Sequence, residues 1–230
     1  MINLSVIVPF FNEEQLLEKS VKRLISNNIF NTIYLVDNNS TDRSSEIAKK
    51  LEDANKNIKL FKTNSEKGKG VALSFSREMI QTSHVIIHDA DLEYFPDDIV
   101  EMFELAKQNT KSLILGTRFN GEKNRENIYI RTYFANKFMS FFFSLINFYK
   151  VSDVATCYKL MPSVFFKNTD LKEKGFSIEI ELLAKFLKFN RSIIEVPIKY
   201  EGRSYSEGKK IKAIDGFKYL LATVKYRFLD

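Results

Sequence analysis

The sequence predicts an α/β fold in which a mostly parallel central sheet is covered by helices on both faces. Two observations lead to this prediction. Short apolar runs alternate along the chain with segments whose apolar residues recur at helical spacing. The short runs are also almost continuously apolar, as expected for strands buried on both faces. With 230 residues, the chain fits one domain that needs no disulfide to stabilise its core.

The regular alternation occupies the first half of the chain. Strands are predicted at Leu4–Phe10, Thr32–Asp37, Ile58–Lys62, His84–Asp89 and Ser112–Gly116. The helices between them are predicted at Glu13–Ser26, Asp42–Leu51, Gly70–Gln81 and Asp97–Lys107. Thr41 and Asp42 are suitable N-cap residues for the second helix, because their side-chain oxygens accept hydrogen bonds from backbone N–H groups.

The second half is less regular. Helical segments are predicted at Arg125–Tyr149 and Phe176–Phe189, and strands at Ala155–Met161 and Ser192–Tyr200. Pro197 has no N–H to donate, so the last strand is expected at a sheet edge or a bulge. After a polar loop at Glu201–Gly208, an apolar stripe opposite lysines predicts a C-terminal amphipathic helical extension. The stripe consists of Ile211, Ile214, Phe217, Leu221, Val224 and Phe228.

Composition restricts the partners and the compartment. The net charge of +6 suits phosphorylated substrates or an anionic membrane surface. Nucleic acid is not an expected partner, because the chain lacks tryptophan, zinc-ligand spacing and an arginine-rich stretch interleaved with aromatic residues. The single cysteine, Cys157, excludes an intramolecular disulfide framework. Since the first residues also lack the features of a signal peptide, a cytoplasmic location is expected.

The most apolar stretch is Phe138–Tyr149. As a helix, its residues would extend only about 18 Å, whereas the hydrocarbon core of a bilayer is about 30 Å thick. The stretch is therefore expected to pack mainly in the core. Its neighbouring cations leave open a peripheral contact with a membrane surface.

Two carboxylates follow the apolar run Val85-Ile86-Ile87. In a strand, Asp89 and Asp91 would point the same way, and such a pair suits Mg²⁺ or Mn²⁺ with further ligands from phosphates and water. A solvated turn is the alternative reading. Polar clusters at Pro9–Glu13 and Asp37–Ser40 also follow predicted strands. Because parallel sheets bind ligands beyond the carboxyl ends of their strands, the three clusters together predict a site.

Five stretches match the motifs of one family in order over about the first 120 residues. They are Ser5–Glu14, Val36–Asp42, Lys67–Gly70, Asp89–Pro96 and Gly116–Phe119. The chain resembles the family 2 inverting glycosyltransferases of GT-A fold, particularly the branch of dolichyl-phosphate mannose synthases and bacterial polyprenyl-phosphate glycosyltransferases. The later residues resemble that branch more loosely.

The resemblance implies a single GT-A domain, with a nucleotide-sugar-binding half at residues 1–120 and an acceptor-binding half at 121–230. It also implies metal-dependent, inverting transfer of a hexose from a GDP- or UDP-sugar to polyprenyl phosphate at the cytoplasmic membrane face. Two alternatives stay open. One is transfer to a glycan hydroxyl during cell-surface polysaccharide assembly, and the other is a nucleotide-sugar-binding module without catalysis.

The same resemblance implies roles on the donor side. Pro9, Asn12 and Glu13 would shape the pocket for base and ribose. Asp37 would accept a hydrogen bond from the base, although an Asx turn is its alternative. The metal ligands would be Asp89, Asp91 and Glu93. Lys69, in Lys67-Gly68-Lys69-Gly70, would lie beside the diphosphate together with backbone N–H groups, unless this segment is only a flexible basic turn. Arg203 would close over the diphosphate.

Three further residues are implied on the acceptor side. Arg118 and Arg131 would hold an acceptor phosphate, because a guanidinium matches phosphate oxygens bidentately. For Arg131, a solvated helix face is the alternative. Asp153 would be the general base for a hydroxyl acceptor, or it would hold a loop through hydrogen bonds. The expected catalytic set is therefore Asp91, Arg118 and Asp153.

Overall fold

The computed structural model of the protein describes residues 2–63, 66–119, 125–126, 130–203 and 213–230. Its strands are β1 (Leu4–Phe10), β2 (Thr32–Asp37), β3 (Ile58–Lys62), β4 (His84–Ile87), β5 (Leu113–Thr117), β6 (Arg125–Glu126), β7 (Lys159–Pro162), β8 (Ile193–Pro197) and β9 (Tyr200–Glu201). Its helices are α1 (Leu17–Ser26), α2 (Ser44–Ala54), α3 (Lys69–Ser76), α4 (Asp97–Gln108), α5 (Ile130–Asn147), α6 (Ser163–Asn168), α7 (Ile178–Phe189) and α8 (Ala213–Phe228).

Seven strands form one mixed, mostly parallel sheet in the order β3-β2-β1-β4-β7-β5-β8. Only β7 runs antiparallel to its neighbours, β4 and β5. The predicted fold class is confirmed. The strand that contains Pro197, β8, lies at one edge of the sheet, which is one of the two positions expected for it. Strands β6 and β9 form a separate parallel pair.

The core follows from the apolar strands at the centre of the sheet. Every residue of β4, β5 and β7 is buried, and β1 is buried except at Pro9. Strands β1, β2 and β4 run parallel in adjacent positions, so their carboxyl ends meet at one edge of the sheet. The polar clusters after these strands are thereby brought together.

Several element boundaries differ from the predictions. Strand β4 ends at Ile87, so Asp89 and Asp91 lie in the following turn and not in an alternating strand. Helix α1 begins at Leu17, because the Glu13 carbonyl accepts from the N–H groups of both Leu16 and Leu17 in a turn before it. The predicted helix at 125–149 begins only at Ile130, and residues 125–126 pair with β9.

Helices α5 and α8 contact each other, and both expose apolar side chains. The prediction that Phe138–Tyr149 packs mainly in the core is wrong for part of the run. Met139 and Phe143 are buried, but Phe138, Phe141 and Leu145 are exposed. The described helices include none that is long and apolar enough to cross a membrane.

Candidate active site

A cavity of about 380 Å³ opens at the carboxyl ends of β1 and β4. Its walls come from the turns after these strands, from the start of α3, from the end of β5, and from α5 and α8. Of the predicted site residues it contains Pro9, Glu13, Lys69, Asp89, Asp91, Glu93, Arg118 and Arg203. Asn12, Asp37, Arg131 and Asp153 are not among the residues that line it.

Asp89 belongs to a buried chain of alternating charges. Its Oδ1 lies 2.6 Å from Lys69 Nζ, which is 2.8 Å from Glu179 Oε1. Glu179 in turn pairs with Lys159, whose side chain is fully buried. Burial lowers the pKa of Lys69, but the negative charges of Asp89, Cys157 and Glu179 together with the hydrogen bond to Asp89 outweigh this effect, and the net shift is upward. Lys69 is therefore a cation in contact with a predicted metal ligand.

Asp91 lies in a second cluster, around the guanidinium of Arg203. Arg203 Nη2 donates to Asp91 Oδ2 at 3.1 Å, and its Nη1 lies 3.7 Å from Glu13 Oε2. Burial, followed by the negative charges of Glu93 and Asp89, raises the pKa of Asp91 to about 7. Burial and the two neighbouring carboxylates together outweigh the guanidinium of Arg203, which lowers the pKa of Asp91.

The contacts of Glu93 do not support the prediction that it is a third metal ligand. Its Oε2 accepts from Tyr200 Oη at 2.7 Å, and its Oε1 accepts from the Arg203 backbone N–H at 2.8 Å. In the part of the chain that the structure describes, no three His, Cys, Asp or Glu side chains are arranged to hold a metal ion. The pair Asp89 and Asp91 still fits Mg²⁺ or Mn²⁺, because these ions use one or two carboxylates and complete their shell with phosphates and water.

Arg118 lines the cavity and forms an ion pair with Asp153. Its Nε and Nη2 donate to the two oxygens of Asp153 at 2.7 and 2.8 Å, and its backbone N–H donates to Oδ2 at 3.0 Å. Asp153 is 0% exposed. A general base must reach the acceptor hydroxyl. This geometry favours the alternative, in which Asp153 holds the chain that carries Arg118.

Asn12 and Asp37 connect the loops beneath the cavity. Asn12 has a positive φ of 51° and its Oδ1 accepts from the Thr41 N–H at 2.8 Å. Asp37 Oδ1 accepts from the Ser40 N–H at 2.8 Å, and its Oδ2 accepts from the Ser45 hydroxyl. The bond to Ser40 reaches one residue further than in an Asx turn, but it likewise uses the Asp37 carboxylate to hold the following turn. The neighbouring Asn38 lines the cavity instead.

The glycines of the Lys67–Gly70 segment pack against residues 173–174. A Cβ on Gly70 would lie 1.8 Å from the Glu173 carbonyl oxygen, and one on Gly68 would lie 2.1 Å from that of Lys174. The Gly70 N–H donates to the Lys174 carbonyl at 2.9 Å. The Gly70 N–H therefore already has a backbone acceptor, so any N–H groups that this segment offers to a diphosphate would come from its other residues.

Some positions fall away from the cavity. Arg131 is exposed on α5, in agreement with its alternative as a solvated position. His88 is buried between Ser20 and Tyr158, and burial lowers its pKa to about 4. Of the loop predicted at Glu201–Gly208, residues 204–208 lie outside the described part of the chain.

Sequence reasoning missed several residues that build the site. Tyr94 and Tyr200 lie edge to face with ring centroids 5.2 Å apart, and Arg118 lies 4.9 Å above the Tyr200 ring. Lys159 joins the buried charges from β7. The one available signal was the run of polar and charged residues at 156–159, which lies where an apolar strand was predicted.

Comparison with known proteins identifies the family. Residues 5–169 match the family model described as glycosyl transferase family 2. A dolichol-phosphate mannosyltransferase of Mycosarcoma maydis is 30% identical, over 97% of this chain and 79% of that protein. A UDP-N-acetylglucosamine–dolichyl-phosphate N-acetylglucosaminyltransferase of Methanococcus voltae is 26% identical, over 93% of this chain and 91% of that protein.

A solved structure shares the fold. Glucosyl-3-phosphoglycerate synthase from Mycobacterium tuberculosis, in complex with Mn²⁺, uridine diphosphate and phosphoglyceric acid, superposes with a TM-score of 0.77 at 14% identity. The match covers 100% of this chain and 80% of that one.

Proposed function

The chain belongs to glycosyl transferase family 2, and from this premise we propose that it transfers a hexose from a GDP- or UDP-sugar to polyprenyl phosphate. Transfer would be metal-dependent and would proceed with inversion at the sugar. Relatives from an archaeon and a fungus support the acceptor class, since both carry dolichyl-phosphate or dolichol-phosphate transferase names. The domain would divide into a donor-binding half at residues 1–120 and an acceptor-binding half at 121–230.

The donor would bind where the cavity meets the ends of β1, β2 and β4. Pro9, Glu13 and Asn38 line this part, and they would surround the base and ribose. Asn12 and Asp37 would act by fixing the loops that carry these residues. The structural neighbour, which was solved in complex with uridine diphosphate, supports a nucleotide donor.

Asp89 and Asp91 would hold Mg²⁺ or Mn²⁺ together with the donor diphosphate. When bound, such an ion supplies Lewis-acid stabilisation of the nucleoside diphosphate as it leaves. Arg203, which now neutralises Asp91 and Glu13, would turn towards the phosphates and add a guanidinium to their binding. Lys69 would keep Asp89 ionised and oriented.

The observation that carries the phosphate acceptor is the burial of Asp153 against Arg118. A sugar hydroxyl must lose a proton during attack and needs a base, whereas a lipid phosphate is already anionic and needs only to be held in position. Arg118 offers positive charge in the cavity wall, while its pair with Asp153 uses only two of its three guanidinium nitrogens. Arg131 would meet the acceptor at the rim.

We place this activity in the cytoplasm, at the inner face of the cell membrane. The net charge of +6 favours an anionic surface, and Cys157 is buried as a free thiol. Contact with the membrane would be peripheral.

A transfer assay with competing acceptors tests the proposal. Labelled UDP- and GDP-sugars are offered with Mn²⁺ to a short-chain polyprenyl phosphate, to the matching polyprenol and to an oligosaccharide. We expect label only on the phosphate. Label on the oligosaccharide alone would contradict the acceptor, and nucleotide binding without transfer to any acceptor would favour the binding-module alternative.

A further inference from the structure

The exposed apolar residues of α5 lie along one face of the helix. Phe134, Phe138, Phe141 and Leu145 recur at spacings of three and four, which places them on one stripe. Phe141 is 65% exposed. The opposite face is buried through Met139 and Phe143. An amphipathic helix in a globular protein normally turns its apolar stripe towards the core. This helix has a second apolar stripe that faces outwards.

Helix α8 has the same arrangement. Phe217, Leu221, Val224 and Phe228 are exposed and share one face, while Tyr219 and Tyr226 are buried on the other. The sequence predicted these four residues as part of the amphipathic face of the helix, and the structure leaves them uncovered, while Ile211 lies outside the described residues. Because α5 and α8 contact each other, their two stripes belong to neighbouring elements. We call these eight residues the α5–α8 apolar surface.

The two helices that carry this surface also line the cavity with their other face. Thr132 and Asn136 of α5 line the cavity wall, and Asn136 lies between Phe134 and Phe138 in the chain. On α8, Tyr219 lines the cavity from a position between Phe217 and Leu221. Each helix therefore turns one face towards the cavity and its apolar stripe outwards.

The charges beside the surface indicate what covers it. Helix α5 carries Arg131 and Lys137 and no acidic residue, and Arg131 is exposed. Helix α8 ends with Lys225 and Arg227 in its last turn. A second copy of this chain would bring like charges together, which opposes association. An anionic bilayer instead offers phosphates to the cations and an acyl boundary to the aromatic rings.

We propose that the α5–α8 apolar surface docks the protein on an anionic lipid bilayer, with both helices lying in the plane of the interface. This proposal rests on the proposed function for its purpose, because docking would present a lipid phosphate to the mouth of the cavity. The surface itself is argued from exposure and charge, so it can be tested without any transfer reaction.

The test is flotation with vesicles of phosphatidylcholine alone and of phosphatidylcholine mixed with phosphatidylglycerol. The double variant Phe141→Ser/Phe217→Ser is compared with Phe189→Ser. Phe189 is a matched control, since it is 55% exposed but lies at the end of α7. We expect the wild type and Phe189→Ser to float with the phosphatidylglycerol vesicles. The double variant should lose at least about tenfold in vesicle affinity, because interfacial binding scales with buried apolar area.

Thermal unfolding, alone and with UDP or GDP and Mn²⁺, separates the possible failures. An unchanged midpoint and nucleotide shift in the double variant would show that its lost vesicle binding is not a folding defect. Equal flotation of the wild type and the double variant would overturn the proposed docking. The proposal would also be overturned if the wild type did not bind vesicles but formed a dimer, and the double variant did not form that dimer. A protein that floats as expected but binds no nucleotide would refute the proposed function and leave the surface in place.

Discussion

At the scale of single residues, the site is dominated by two buried groups of charges. In one, Lys69 lies between Asp89 and Glu179, and Lys159 lies beyond Glu179. Asp89 is partly exposed to the cavity, whereas the side chains of Lys69, Glu179 and Lys159 are desolvated and each has an opposite neighbour. Removing one member leaves its partner buried and unpaired, which costs far more than the loss of an exposed ion pair.

Lys69→Met should therefore destabilise the fold. We expect the free energy of unfolding to fall by about 3 kcal/mol, since Asp89 loses its cation and Glu179 loses one of two. The measurement is a urea denaturation curve. Lys67→Met is the matched control, because Lys67 is exposed two residues away and stacks 4.5 Å from the Phe11 ring. Equal stability of the two variants would contradict the buried charge chain.

The second group predicts competition between Arg203 and a metal ion. Arg203→Ala removes the cation that faces Asp91 and Glu13, so Mn²⁺ binding without nucleotide should become several-fold tighter. Binding of UDP or GDP with Mn²⁺ should weaken, because the phosphates lose a guanidinium. Titration calorimetry reads both affinities. Arg43→Ala, which removes an exposed pair with Glu14, should change neither. Weaker Mn²⁺ binding by Arg203→Ala in the absence of nucleotide would contradict this account.

At the scale of elements, periodicity predicted the long helices and the parallel strands well. The predicted ends of elements were wrong where hydrogen bonds that do not follow the periodic pattern determine those ends. The turn at Glu13 precedes α1, so this helix begins later in the chain than predicted. Strand β4 ends at Ile87, two residues before its predicted end. The short elements β6 and α6 were missed, because two to six residues are too few to show a period.

The contact between the start of α3 and residues 173–174 yields a prediction at this scale. Gly70→Ala places a Cβ 1.8 Å from the Glu173 carbonyl oxygen, so one of two backbone segments must move. We expect a loss of about 2 kcal/mol or more in unfolding free energy, as for an overpacked core. Gly175→Ala is the control, since nothing lies within 4 Å of its added Cβ. A normal urea midpoint for Gly70→Ala would refute the close packing.

At the scale of the whole molecule, the two proposed halves share one sheet. Strand β7 belongs to the second half but pairs with β4 and β5 of the first. The sequence motifs predicted a site at the strand ends, because the motif residues follow strands that are adjacent in a parallel sheet. They could not foresee the pair of Arg118 with Asp153, which lies 35 residues further along the chain and meets it only through the tertiary fold.

The outward apolar surface also belongs to this scale. A hydrophobic stripe in a sequence indicates which face of a helix avoids water, but not what covers that face. The same pattern in α5 and α8 would fit a core, and only the packed structure shows that the opposite face of each helix is the one that is buried. Folding buries one face of each helix and leaves the other apolar face exposed, and it is this exposed face that we attribute to the proposed docking.

The measurement that tests the central claim most directly is thermal unfolding with UDP and with GDP, each with and without Mn²⁺, for the wild type, Asp91→Asn and Asp97→Asn. A ligand at 100 times its dissociation constant stabilises by about 2.7 kcal/mol, or a few degrees. We expect a Mn²⁺-dependent shift with one nucleotide in the wild type and in Asp97→Asn, whose changed residue is exposed on α4. Asp91→Asn should lose it. A full shift in Asp91→Asn, or no shift with either nucleotide in the wild type, would contradict a metal-assisted donor site.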